Sequence, residues 1–81
     1  MANQPIDTLR DGSIRAAIWK NEGEKGPFFS VTLTRTFQDE AGNYQDSTSF
    51  SGTQLLRVSR LAGRAYDRVG ELVAAMREEP R

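Results

Sequence analysis

The run Phe28 to Gln38 (FFSVTLTRTFQ) constrains the fold more than any other part of the chain. Its residues alternate with a period of two. Phe29, Val31, Leu33, Arg35 and Phe37 fall on one face, and Ser30, Thr32, Thr34 and Thr36 on the other. That period fits a half-buried pleated strand and not a helix. β-branched and aromatic side chains dominate it, as strands favour. Such a strand needs neighbours, and the sequence supplies them on both sides. Ser13 to Lys20 (SIRAAIWK) also alternates, with Ile14, Ala16 and Ile18 opposed to Arg15, Ala17 and Trp19. Asn21 to Pro27 (NEGEKGP) between them is rich in turn formers. The turn Asp39 to Asn43 (DEAGN) leads to a third, more polar strand, Tyr44 to Phe50 (YQDSTSF). Its inward face is assigned Tyr44, Asp46, Thr48 and Phe50; Gln45, Ser47 and Ser49 are assigned to the outside.

After Phe50 the period changes. Ser51-Gly52-Thr53-Gln54 has the S-x-x-Q form of a capping box. Behind it a helix is predicted from Thr53 to Glu78. Its apolar stripe is Leu55, Val58, Ala62, Ala65, Val69, Leu72 or Val73, and Met76. Residues 1–11 are polar, contain Pro5 and show no period, so they are read as a flexible tail. Residues 12–79 then form one α+β domain of order β-β-β-α, an antiparallel meander covered by a C-terminal helix. A fourth strand arises only if residues near Ile6 to Leu9 add one. The helix, about 37 Å long, outreaches a sheet only about 10–15 Å wide. Val69, Leu72, Val73 and Met76 are therefore expected to overhang the sheet and to serve as a homodimer interface.

Composition narrows the chemistry. With 81 residues and no cysteine, the domain is small, marginally stable and without disulfides, which also favours self-association. No His and no Cys exclude thiol catalysis, imidazole acid/base chemistry and ordinary zinc sites. Neither a membrane-spanning run nor a signal peptide is apparent, so a cytoplasmic location is expected. No metal, cofactor, small-molecule substrate or enzymatic activity is expected.

Two surfaces remain. The sheet face away from the helix would carry Arg15, Ala17 and Trp19, the hydroxyls of strand two, and Gln45, Ser47 and Ser49. On this assignment the face has no acid. Arginine and hydroxyls suit phosphates, and an exposed indole suits a stacked base. A solvated face rich in Thr for its β-propensity is the alternative. The second surface is the helix stripe Arg57, Arg60, Arg64 and Arg68, bordered by Asp67 and Glu71. It is either an ordinary solvated face or an anion-recognising one.

The run IRAAIWKNEGEKGPFFSVTLTRTFQDEAGNYQDSTSF, followed by LLRVSRLAGRAYDRV, resembles a family of short bacterial proteins. Their shared pattern is an I-W-x-N strand end, a G-P-F-x-S-V-T strand, a D-S-x-S-F strand and a helix with paired leucines. That family carries little biochemistry. In architecture the chain is also similar to the positive-cofactor-four and Whirly type of single-stranded DNA-binding domain, which dimerises and binds strands across its sheets. The resemblance implies a homodimeric module for single-stranded nucleic acid. Trp19 would stack a base, Arg15, Lys20 and Arg35 would meet phosphates, and Thr32, Thr34 and Ser47 would hydrogen-bond the backbone. By parity Arg35 belongs on the helix side unless a bulge frees it. The alternative is a protein-interaction module that uses Leu56, Leu61 and Tyr66 on the helix, edged by the arginines. The charge balance of 11 basic against 11 acidic residues argues against indiscriminate duplex binding and leaves a local groove open.

Overall fold

A computed structural model describes residues 4–78. Four antiparallel strands, β1 (Asp7–Asp11), β2 (Ile14–Gly23), β3 (Gly26–Gln38) and β4 (Tyr44–Ser47), form one sheet in the order β1-β2-β3-β4. A single 3-10 turn (Gly52–Gln54) leads into helix α1 (Leu55–Glu78). The fold is α+β, with the helix on one face of a meander.

β1 takes residues that the sequence assigned to a tail. The reason is the turn Gly12-Ser13. Asp11 pairs directly with Ile14, so two residues close the hairpin, and Gly12 has φ 64°. Gly at the first position of a two-residue turn matches the twist of the flanking strands. Leu9 then lies opposite Ala16 and packs against the core, which holds an otherwise polar strand in place.

The parity of β2 and β3 follows the sequence pattern. Ile14, Ala16 and Ile18 are buried on the helix side. Leu61 and Ala65 of α1 meet Ile14 and Ala16 there, flanked by Leu9, Leu33, Phe50 and Val58. Full burial of Ile14, Ile18 and Leu61 stabilises the fold by roughly 1.5–3 kcal/mol each. The helical stripe departs from expectation at two places. Leu61 is a core residue at 1% exposure, and Leu55 is 57% exposed. At the helix start, the N–H of Ser51 donates to Gln54 Oε1 at 2.9 Å, the reciprocal half of the capping box. Beyond Ala65, no residue through Arg77 is buried. Fully buried packing ends there, although Val69 still lines a groove with Phe29 and Val31 of β3.

β4 differs from its assignment in length and in face. It ends at Ser47, and Thr36 lies opposite Asp46 while Arg35 lies opposite Ser47. Directly opposite residues share a face, so Asp46 and Tyr44 belong to the outer face and Gln45 and Ser47 to the helix side. Phe50 reaches the core only after the strand has ended. Tyr44 and Phe50 therefore need not share a parity, and linking them inverted the assignment. The Asp39 to Asn43 turn sets this register. Asp39 Oδ1 accepts from the N–H groups of Ala41 and Asn43 at 3.0 and 2.9 Å.

Arg68 Nε donates to Asp7 Oδ2 at 2.7 Å, tying α1 to β1. Arg68, aided by the N–H of Thr8, holds the Asp7 carboxyl below the usual carboxylate range. The depressed value adds stability that is present above the ordinary carboxylate pKa and lost as pH falls through the lowered one. Asp7→Asn is accordingly expected to flatten the acid limb of a stability-against-pH curve measured by urea unfolding, with a small effect at neutral pH because the pair is only partly buried and screened by solvent.

Candidate nucleic-acid interface

The strand register brings together, on the face away from α1, residues from the first three strands. Thr8, Ala17 and Thr32 form one row, and Arg10, Arg15 and Thr34 the next. Trp19 lies opposite Ser30. Trp19, the two rows and Pro5 line an open groove of about 410 Å³. Ala17, though on the outer face, is only 7% exposed and forms its floor. Trp19 is half-buried, and its indole Nε1 donates to Thr32 Oγ1 at 2.9 Å. That bond fixes the ring against β3. Asn21 Nδ2 donates to Ser30 Oγ at 2.9 Å and continues the polar row.

Arg15, Trp19, Thr32 and Thr34 of the expected set therefore share the groove. Lys20, Arg35 and Ser47 do not. Lys20 lies opposite Phe29 and Arg35 opposite Ile14 and Ser47, all on the helix-side parity. β2 and β3 pair without a bulge, so nothing turns Arg35 outward. Its Nε donates to the Ser49 carbonyl at 3.1 Å, and its guanidinium lies 5.2 Å from the Phe37 ring centroid. Two groove residues, Thr8 and Arg10, escape the sequence reading because β1 did. The Gly12-Ser13 turn was the available signal for them.

Nor is the face free of acid. Asp46 stands on it and accepts from Arg15 at 2.6 Å and from Thr36 Oγ1 at 2.9 Å. One of the five N–H donors of Arg15 is thereby engaged. Arg10, opposite Arg15 in the register, is exposed. Like charges directly opposite one another destabilise a strand pair. The two arginines thus make a locally positive groove that an anion would relieve.

The helix surface is less uniform than its sequence. Arg68 is engaged by Asp7 and by Glu71, the latter at 2.9 Å. Leu61 is buried and cannot serve an interface, while Leu56 and Tyr66 are 70% and 80% exposed. Val69, Leu72, Val73 and Met76 are half-buried. Among the described residues no helix is long and apolar enough to cross a membrane. No protein-family model, curated protein or solved structure matches the chain.

Proposed function

We propose that the outer sheet face binds single-stranded nucleic acid without strong sequence preference. The observation that carries this reading is the cross-strand pair Arg10 and Arg15 beside Trp19 in an open, hydroxyl-lined groove. Arg10 and the free donors of Arg15 contact phosphates, which a single strand presents along a shallow track. Trp19 offers its ring to a base, an interaction worth about 1–3 kcal/mol. Thr8, Thr32 and Thr34 supply hydroxyls to sugar and phosphate. An open groove suits unpaired bases, whose faces can turn onto an aromatic ring. Two arginines set against Asp46 provide local attraction and little long-range field, so binding of moderate affinity and marked salt dependence follows.

Titration of labelled single-stranded oligonucleotides at low and moderate salt tests the reading. Micromolar binding that weakens as salt rises is expected; no binding at micromolar protein in low salt ends the proposal. Asp46→Asn retains a hydrogen-bonding side chain while removing the only acid that, among the described residues, stands beside Arg15 on that face. It is expected to tighten binding severalfold at low salt and to steepen the salt dependence. Weaker binding by that variant would count against phosphate contact at Arg15.

A further inference from the structure

One edge of the sheet is left open. β4 pairs with β3 only from Arg35 to Gln38, so among the described residues β3 has no strand on the side away from β2 from Gly26 to Thr34. The direction of its backbone groups follows from one bond. Thr36 N–H donates to the Ser13 carbonyl at 2.9 Å, toward β2. Because the register is unbroken, the even-numbered residues of β3 turn N–H and C=O to β2, and the odd-numbered ones turn theirs away. The N–H groups of Phe29, Val31 and Leu33, and the carbonyls of these residues and Pro27, therefore face the open edge. Among the described residues no other backbone group bonds to them.

The same edge is apolar. Phe29, Val31, Ala62, Tyr66 and Val69 line a groove of about 310 Å³ between β3 and α1. Edge strands are commonly blunted by lysines, bulges or interior prolines. From Phe28 to Thr34 this edge has none of these and no charged side chain at all. The chain is also extended for its size. Its radius of gyration is 15.1 Å, against roughly 12 Å for a compact domain of this length.

We propose that the edge pairs with β3 of a second copy, antiparallel about a twofold axis at Ser30. The open stretch Pro27 to Leu33 is its own complement in that register. Phe29 N–H meets the second copy's Val31 carbonyl, Val31 N–H its Phe29 carbonyl, and Leu33 N–H its Pro27 carbonyl. Every open donor is satisfied, and Pro27, which lacks an N–H, falls at the end of the pairing. Gly26, at φ 115°, turns each hairpin away before it reaches the other copy's β4. Phe29 and Val31 of one copy stand against Val31 and Phe29 of the other over the helix-side groove. No like charges meet within the paired stretch. Such pairing would also join the outer faces of the two copies. Trp19, Ser30, the second copy's Ser30 and its Trp19 fall in one row, which places the two Trp19 Cα atoms about 15 Å apart on a continuous face.

Engineered cysteines test the register, since the chain has none of its own. Ser30 would face its counterpart in a non-hydrogen-bonded pair, about 4.5 Å between Cα atoms, within reach of a disulfide. Ser30→Cys is expected to give a reducible dimer under mild oxidation. Thr32→Cys, whose counterpart lies four residues along the strand, is not. Sedimentation of the unmodified protein at tens of micromolar should give the dimer mass. A monomer, or a dimer in which cysteine at 30 links no faster than at 32, overturns the proposal.

Discussion

Arg10→Glu is expected to weaken oligonucleotide binding at least tenfold at low salt while leaving thermal stability unchanged or slightly raised. The two effects have opposite physical origins. In the folded chain Arg10 lies opposite Arg15, and a glutamate there replaces a repulsive cross-strand pair with an attractive one. For an incoming phosphate the same change removes one contact and adds a repulsion. Each lost phosphate contact should lower the slope of log affinity against log salt by about 0.7 for a single strand. Oligonucleotide anisotropy at several salt concentrations, with a melting curve for each protein, reads both effects. If binding and melting temperature fall together, Arg10 is acting through the fold and the groove loses its main cation.

Leu61→Ala should have the largest effect on stability. Leu61 is 1% exposed and meets Ile14, Ala16 and Ala65 at the centre of the core. Removing its branched end costs about 2–5 kcal/mol, the higher values where the site cannot collapse. A chain of this size has only about 4–12 kcal/mol in total. Few other side chains are fully buried: Ile14 and Ile18 are the other large ones. The variant is expected to lose roughly half its stability or more, seen as a large drop in the urea midpoint followed by circular dichroism. Leu56→Ala, at a position 70% exposed, should leave the midpoint nearly unchanged. Equal losses from the two would mean that the helix packs on a different face.

How much of this was legible in the sequence depended on how locally each feature is encoded. The faces of β2 and β3 were, because alternation in SIRAAIWK and FFSVTLTRTFQ survives any choice of neighbour. The helix and its cap were legible from period and from the S-x-x-Q signature. β1 was legible only as the alternative of a fourth strand near Ile6 to Leu9, because Thr8 and Arg10 are polar and only Leu9 reaches the core; its existence is written in the Gly12-Ser13 turn. The inward face of β4 is the reverse of the one its pattern suggests, because Tyr44 and Phe50 do not belong to one strand. The chain leaves the sheet at Ser47, and the register comes from the Asp39 turn, not from hydrophobicity. The observed β1 and β4 reshape the site: they remove Ser47, add Thr8 and Arg10, and place Asp46 on the face expected to be free of acid. Lys20 is lost for a simpler reason: it shares the parity of Ile18 and lies on the helix side.

The single tryptophan lines the groove proposed to receive a nucleic-acid strand and reports on its occupancy directly. Its intrinsic fluorescence should be quenched in a saturable way as an unlabelled single-stranded oligonucleotide is added at low salt. The quenching should reverse when salt is raised, and Arg10→Glu should shift the curve at least tenfold to higher concentration. Stacking of a base on the indole and release of counterions from the phosphates together produce that behaviour. Unchanged Trp19 emission while the oligonucleotide demonstrably binds would place the nucleic acid on another surface. Unchanged emission without binding would contradict the account altogether.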